Sequence, residues 1–145
     1  MRPRDIIRFV RKAIEVGINR NHDKVLEEDI LQAEISYSED ALQDLVFELK
    51  DINPKYSEIP FEFLNSKSRL NYQEIANLIT PHLDSSEDVD EAINLLVWFG
   101  FLGVALASDK TRYSYEIQYN IRKLNISSNT VFIIHPCFRA ALECN

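Results

Sequence analysis

The sequence predicts a mainly α-helical protein of the α+β class, in which the β structure follows Gly100. Two observations lead to this prediction. Up to Gly100, apolar residues recur at the three- and four-residue spacing of amphipathic helices. After Gly100 the spacing becomes two, as in strands with one buried face. The chain has 145 residues, of which 46% are hydrophobic, so it can bury a core without disulfides or metals.

The N-terminal part is predicted to contain two helical segments. Residues 4–18 place apolar side chains on one face and charged ones on the other, and the polar turn 19–23 ends this helix. Residues 26–52 repeat the pattern and predict either two helices or one bent helix. Ser38 lies near the join, where it can cap a second helix. Pro54 ends the segment.

Three shorter helices are predicted before Gly100. Residues 57–65 suggest a short helix entered at a proline. Asn71 is an expected N-cap for helix 72–83, because its side chain can accept a free backbone N–H. After a polar turn, helix 87–99 begins with acidic residues beside the positive end of its dipole.

The segment after Gly100 reads as strands. Residues 102–107 alternate large aliphatic residues with glycine and alanine, and residues 112–119 alternate polar and apolar residues. With a turn at 108–111 between them, these two segments predict a β-hairpin. Residues 131–134 form a third short strand, and a last helix begins after His135, where the imidazole caps the helix or fills the corner. Three tyrosines on the second strand are expected to face the core, although aromatic stripes can also stack bases. They are Tyr113, Tyr115 and Tyr119.

Two helices joined by a tight turn and followed directly by a hairpin are typical of a winged helix. We therefore predict a helical segment over residues 1–54 and a winged-helix domain over residues 55–145, with the hairpin as its wing.

Charge is distributed unevenly along the chain. Residues 1–24 carry a net charge of +4, residues 25–100 carry −13 and residues 101–145 carry +2. The basic N-terminal helix could bind nucleic acid or anionic lipid, but its apolar stripe more simply packs on neighbouring helices. The acidic middle of the chain argues against tight DNA binding there.

The predicted second helix of the helix–turn–helix pair carries the strongest functional argument. DNA-reading helices begin with Arg, Lys, Asn or Gln, whereas this helix begins with Glu87, Asp88, Asp90 and Glu91. We therefore expect the winged helix to contact protein. The alternative is a DNA-binding transcription regulator that uses cations of the wing and the residues after it. Those candidates are Lys110, Arg112, Arg122 and Lys123.

Motifs of catalysis or metal binding are missing from the sequence. It has no G-x-x-x-x-G-K-[ST], G-x-S-x-G or H-E-x-x-H pattern. We therefore expect that the chain is not an enzyme and that it has no catalytic residue and no cofactor. His135, Cys137 and Cys144 lack the paired spacing of zinc ligands, so no metal is expected.

No apolar run reaches the roughly 18–20 residues that span a bilayer, and no signal peptide is evident. The expected location is the cytoplasm, with both thiols reduced.

Four segments resemble a family of bacterial P-loop ATPases found in defence-type gene neighbourhoods. Residues 2–7 (RPRDII) resemble the R-P-R-D-[IL] segment that opens the helical lid, and residues 26–33 (LEEDILQA) resemble its t-E-E-D-I-x-x-A helix. Residues 95–104 (LLVWFGFLGV) resemble the L-x-x-x-G-x-L-G-V junction between helix and wing. Residues 135–142 (HPCFRAAL) resemble the closing H-P-x-F-R-x-A-L helix.

The resemblance implies the C-terminal part of such an ATPase: AAA+-type lid helices followed by a winged helix, without the nucleotide-binding core. It implies that Arg4, and secondarily Arg2, sense the γ-phosphate when a core is present, because a guanidinium pairs well with phosphate oxygens. In this chain alone, a solvated arginine is the simpler interpretation of Arg4. The implied partner is the ATPase core or another protein subunit. A homodimer formed through an exposed helix stripe is a further possibility.

Overall fold

The computed structural model describes residues 3–145, which form five α-helices and a four-stranded antiparallel sheet. The helices are α1 Pro3–Asn19, α2 Glu27–Ile52, α3 Tyr72–Ile79, α4 Ser86–Trp98 and α5 Pro136–Leu142. The strands are β1 Arg69–Asn71, β2 Leu102–Ala105, β3 Thr111–Arg112 and β4 Val131–Ile134. The predicted class, mainly α with a small β component, is confirmed.

Side chains at three helix starts satisfy backbone N–H groups that have no partner within the helix. Asn71 accepts a hydrogen bond of 2.8 Å from the N–H of Glu74, whose carboxylate in turn accepts the N–H of Asn71. Ser85 accepts from the N–H of Asp88 at the start of α4. The His135 imidazole accepts from the N–H of Cys137 at 3.1 Å. The predicted caps at Asn71 and His135 are therefore confirmed.

Helix α2 is one continuous helix, so the alternative of two helices over 26–52 is wrong. Ser38 does not cap a second helix. Its side chain is buried, and its hydroxyl accepts a hydrogen bond of 2.9 Å from the N–H of Ala141 in α5. Ser38 therefore forms a polar contact between two packed helices, α2 and α5. This contact depends on the tertiary fold, because its two partners are far apart in the sequence.

Two predicted α-helices are shorter or tighter than expected. Helix α3 ends at Ile79 and continues as a 3-10 turn over Thr80–His82, since Pro81 has no N–H for the α-helical ladder. The short helix expected over 57–65 is a 3-10 turn at Ile59–Phe63.

The sheet has the order β1–β4–β2–β3, with every neighbouring pair antiparallel. Strand β4 lies in the centre, where Phe132 is opposite both Leu70 of β1 and Val104 of β2. The third strand predicted over 131–134 is confirmed with the same bounds. Strands β1 and β3 form the two edges of the sheet.

The predicted second strand of the hairpin, 112–119, is wrong beyond its first residue. Strand β3 ends at Arg112, and Ser114–Ile117 form a 3-10 turn. The buried Ser114 hydroxyl donates a hydrogen bond of 2.7 Å to the carbonyl of Trp98 at the end of α4. Gln118 and Tyr119 have φ angles of 55° and 61°, in the left-handed region, so an extended strand cannot continue.

The tyrosines after β3 consequently have different environments. Tyr113 is buried, whereas Tyr115 is partly buried and Tyr119 is 41% exposed. The expectation that all three face the core is correct for Tyr113 and wrong for Tyr119.

The main core lies between the helices and the sheet, and it is centred on aromatic rings. Phe101 is fully buried, with its ring centroid 5.2 Å from Phe63 and 5.1 Å from Phe138. Side chains of α2 belong to the same hydrophobic cluster: Leu42, Leu45 and Leu49. Helix α2 therefore packs on elements from beyond residue 54, and the division of the chain into 1–54 and 55–145 stays a prediction.

Within residues 3–145, we find no helix that combines the length and the apolar character needed for crossing a bilayer.

Candidate functional site

Three regions contain most of the residues that the sequence singles out or that the fold brings together. They are the pocket at the start of α1, the turn between α1 and α2, and the outer face of α4.

The pocket at the start of α1 contains Arg4, the predicted nucleotide-sensing residue. Arg4 is exposed, and its side chain lines a pocket of about 140 Å³ between the first turns of α1, the middle of α2 and the start of α5. Arg2, the second candidate, lies outside the described residues. The pocket lining also includes Asp5, Arg8, Tyr37, Asp44, Glu48, His135 and Cys137.

Charges in this pocket are nearly balanced. Arg8 donates a hydrogen bond of 3.2 Å to Asp44, so one of the two guanidinium groups is already paired. Asp5 and Glu48 add further carboxylates to the lining. Two arginines against three carboxylates do not form a phosphate site by themselves, because an anion needs an excess of cations or N–H donors. Arg4 can act on a phosphate only when another chain segment or protein supplies the phosphate's remaining ligands.

His135, Cys137 and Cys144, which we did not expect to bind a metal, take part in contacts within the fold. His135 caps α5, as described above, and its ring centroid lies 4.8 Å from that of Tyr113. The Cys144 thiol donates to the carbonyl of Phe63 at 3.4 Å. Burial raises the pKa of Cys144, which keeps the thiol protonated and poorly nucleophilic.

The turn between α1 and α2 holds a charged cluster around one buried carboxylate, which the sequence analysis did not identify. Asp29 is fully buried, and its Oδ2 accepts hydrogen bonds from His22 Nδ1 at 2.8 Å and from the N–H of Leu26 at 2.9 Å. Arg20 Nη1 lies 3.7 Å from Asp29 Oδ1 and 4.0 Å from a Glu28 oxygen. A side chain at Gly17 would approach the carboxylate, since its Cβ would lie 3.3 Å from Oδ2.

Ligand atoms of His22, Glu28 and Asp29 lie within 4.8 Å of one another, a spacing that a metal ion could bridge. The guanidinium of Arg20 lies beside the carboxylates of Glu28 and Asp29 and supplies the positive charge that a metal ion would otherwise provide. The geometry therefore favours a structural ion cluster that joins the two helices.

Electrostatics at Asp29 couple this cluster to pH. Burial alone raises the pKa of the Asp29 carboxyl, but the hydrogen bonds from His22 and Leu26 and the charges of His22 and Arg20 outweigh it, so the pKa lies below its ordinary value. A carboxylate with a lowered pKa in the folded state stabilises the fold above the pKa of the unfolded chain. That stability is lost as pH falls through the folded-state pKa.

We expect Asp29→Asn to lower the melting temperature at pH 7 by about 5 °C or more, because it removes the negative charge that pairs with His22 and Arg20. The loss should become smaller as the pH falls through the folded-state pKa of Asp29, because the wild-type carboxylate then gains its proton too. Thermal unfolding followed by circular dichroism from pH 7 into the acid range measures it. The matched control is Asp23→Asn in the same turn, where the side chain is exposed; equal melting temperatures for the two variants would contradict a stabilising cluster.

The outer face of α4 bears the acidic residues that the sequence analysis identified. It borders a shallow groove of about 630 Å³, which we call the α4 groove. The lining of the α4 groove includes four apolar residues, which we call its floor: Ile52, Leu95, Trp98 and Ile121. The other lining residues are Asn94 and three acidic residues, Glu87, Asp90 and Glu91, which we call its acidic rim. Acidic residues therefore occupy the helix face on which a DNA-reading helix would carry its donors.

Two of the acidic residues at the start of α4 already have protein partners. Lys55 Nζ lies 2.9 Å from Asp88 Oδ2, and this hydrogen bond lowers the pKa of Asp88. Burial and a hydrogen bond to Glu91 raise the pKa of Tyr56 to about 12. Glu87 and Asp90 are exposed and form no ion pair within the described part of the chain.

The candidate DNA-contacting cations lie on two separate segments of the chain. Lys110 lies in the turn between β2 and β3, and Arg112 is on β3. Arg122 and Lys123 belong to a 3-10 turn at Ile121–Leu124. All four side chains are exposed, as expected for solvated surface residues.

Comparison with known proteins connects only the N-terminal hairpin to a family. Residues 1–46 match the family model of the FunZ-associated C-terminal helical domain. The match extends over α1, the turn with the Asp29 cluster, and α2 as far as Val46. No curated protein and no solved structure matches the chain significantly.

Sequence reasoning missed the Asp29 cluster and the apolar floor of the α4 groove. A weak signal for the cluster was available, because Asp29 is the third residue of α2, a position from which a carboxylate commonly accepts the backbone N–H before the helix. Nothing local signalled the groove, because Ile52, Trp98 and Ile121 come from three distant segments of the chain.

Proposed function

We propose that this chain is a non-catalytic accessory module of a P-loop ATPase, with the α1–α2 hairpin docked on the ATPase core and a winged helix that contacts another protein. The observation that carries the proposal is the uncovered apolar surface of the hairpin. Five aliphatic side chains of α1 are each at least 46% exposed: Ile6, Ile7, Val10, Ile14 and Ile18. Helix α2 adds Ile30, Leu31, Ile35 and Phe47, which are 43–56% exposed.

A patch of this kind on one helical hairpin is typical of an interaction surface, because soluble proteins seldom expose adjoining large apolar side chains. Helix α1 is held to α2 on its other side, where Lys12 pairs with Asp40 at 2.9 Å and Phe9 packs on Tyr37 with ring centroids 6.0 Å apart. The exposed residues are therefore available to a partner without opening the hairpin. The match of residues 1–46 to a C-terminal helical domain supports an accessory role for this part.

The winged-helix assignment of residues 55–145 is supported by the connectivity. Strand β1 leads into α3, a short turn joins α3 to α4, and the chain then enters β2 and returns through β4 between β1 and β2. On this assignment α3 and α4 are the helix–turn–helix pair. The residues between β2 and β4 form the wing.

Arg4 would sense nucleotide in the assembled ATPase. Its exposed position at the start of α1, beside a pocket with too few cations of its own, fits a residue that completes a phosphate site on another domain. A change in bound nucleotide would then shift the hairpin and, through the Ser38–Ala141 contact, the winged helix.

The test of docking uses a P-loop ATPase core that is encoded either in the same reading frame as this chain or by an adjacent gene. We expect Ile7→Asp combined with Ile14→Asp to weaken co-elution with that core at least about tenfold, because two carboxylates would be buried in an apolar contact. Leu64→Asp is the matched control, since Leu64 is 52% exposed but lies outside the hairpin. Unchanged binding of the double variant, or no P-loop motif in the parent frame or its neighbours, would contradict the proposal.

The alternative, a DNA-binding regulator, uses the exposed cations of the wing. It requires duplex DNA to bind at about micromolar affinity in roughly 150 mM salt, with a steep dependence on salt concentration. We expect no such binding, because the carboxylates on α4 repel phosphate. Specific binding at that level would favour the regulator.

A further inference from the structure

We propose that the α4 groove binds a basic amphipathic helix of a protein partner. This inference rests on the proposed function, in which the winged helix contacts protein, and it names the surface and the partner's chemistry.

The floor of the groove supplies an apolar anchor site. Trp98 is 42% exposed and Ile52 is 48% exposed, although both lie beside other apolar groups. The Trp98 ring centroid is 5.2 Å from that of Tyr119, so the aromatic surface extends from the groove to Tyr119. A large exposed tryptophan beside aliphatic side chains is typical of residues that dominate binding energy in protein interfaces.

The acidic rim determines the charge of the occupant. Glu87 and Asp90 have no cation partner among residues 3–145, whereas the nearby Lys55 is already held by Asp88. A partner that covers the floor would remove water from these carboxylates, which is unfavourable unless it supplies cations. Lysine or arginine side chains satisfy this requirement, and an arginine can also stack on the exposed Trp98 ring. Nucleic acid and acidic peptides would be repelled.

The shape of the groove favours a helix as the occupant. The groove follows α4, with rim residues at the start of the helix and Trp98 at its end. A helix lying along α4 presents apolar residues at three- and four-residue spacing, which can contact the apolar floor, while its basic residues face the acidic start of α4. An added β-strand would need a free sheet edge at the groove, and the floor residues belong to helices α2 and α4 and to a 3-10 turn.

Trp98 is the single tryptophan of the chain, so its fluorescence reports on the groove directly. The probe is a synthetic amphipathic helical peptide made of leucine and lysine, with a matched peptide made of leucine and glutamate. We expect the lysine peptide to shift the Trp98 emission to shorter wavelength in a saturable manner. The glutamate peptide should produce no saturable change.

The rim is tested by Glu87→Lys combined with Asp90→Lys, which should weaken binding of the lysine peptide at least about tenfold. The matched control is Glu34→Lys combined with Glu39→Lys on the exposed side of α2, because it changes the net charge equally. We expect the control to change binding less than about twofold. Absence of a saturable shift, or equal weakening by both double variants, would overturn the groove assignment.

These results are separable from the test of the proposed function. If the ATPase core binds through Ile7 and Ile14 but the lysine peptide does not bind at Trp98, the groove inference fails and the docking proposal stands. If duplex DNA shifts the Trp98 emission with a steep salt dependence, the groove inference fails, and so does the proposal that the winged helix contacts protein.

Discussion

Replacement of Phe101 by alanine should lower the free energy of unfolding by about 3–5 kcal/mol, the largest effect expected from any single substitution considered. Phe101 follows directly after the turn that ends α4 and is fully buried. Its ring packs edge-on to Phe63, with an interplanar angle of 69°, and also contacts Phe138 of α5. The substitution would leave a cavity where three segments of the chain meet, and a close-packed core refills such a space only in part.

Chemical denaturation, monitored by circular dichroism, measures this effect. The matched control is Phe47→Ala on α2, where the ring is 56% exposed and little apolar contact is lost. We expect the control to change the free energy of unfolding by no more than about 0.5 kcal/mol. A loss below about 1 kcal/mol for Phe101→Ala would mean that Phe101 does not hold the helices to the sheet.

Replacement of Gly103 by valine should be the second most disruptive change, with an expected loss of about 1–3 kcal/mol. A Cβ at Gly103 would lie 2.5 Å from Thr111 Cγ2 and 2.6 Å from Tyr113 Cε1. Tyr113 has little freedom to move, because it stacks on Tyr115 with centroids 5.7 Å apart and contacts His135. Gly103 is therefore required by the close approach of β3 and Tyr113 to β2.

Thermal and chemical unfolding of Gly103→Val can be compared with Ala107→Val, a matched addition in the exposed turn after β2. The control should be close to wild type. Adding Thr111→Ser to Gly103→Ala should recover part of the loss of the single alanine variant, since it removes the methyl group at 2.5 Å. Strict additivity of the two substitutions would show that this contact is not the source of the strain.

Local chemistry explains why much of the fold could be predicted. The predicted caps at Asn71 and His135 join groups within three residues of each other, so the local sequence contains both the donor and the acceptor. The acidic start of α4 is likewise a property of consecutive residues. Predictions that depend on one segment, such as strand β4 or the position of Gly100 after a helix, are accordingly confirmed.

The errors arise where a distant group competes with the local pattern. The residues after Arg112 alternate as a strand does, but the Ser114 hydroxyl bonds to the carbonyl of Trp98 sixteen residues away, and the chain turns instead. Ser38 is a polar residue at a buried position of α2, where its hydroxyl accepts the N–H of Ala141. Because Ala141 lies 103 residues further along the chain, the local pattern gave no sign of this contact. Alternation and helical periodicity report burial, and they do not reveal which element supplies the contact.

The sequence by itself determined the helical character of the first hundred residues, most helix ends, and the acidity that argues against DNA contact on α4. Only the tertiary structure decided that Asp29 is buried against His22 and Arg20, and that the exposed aliphatic residues of α1 remain uncovered. It also decided that Ile52, Trp98 and Ile121 share one groove. The physical reason is range: backbone hydrogen bonds and caps join near neighbours, whereas burial and grooves depend on which distant segments pack together.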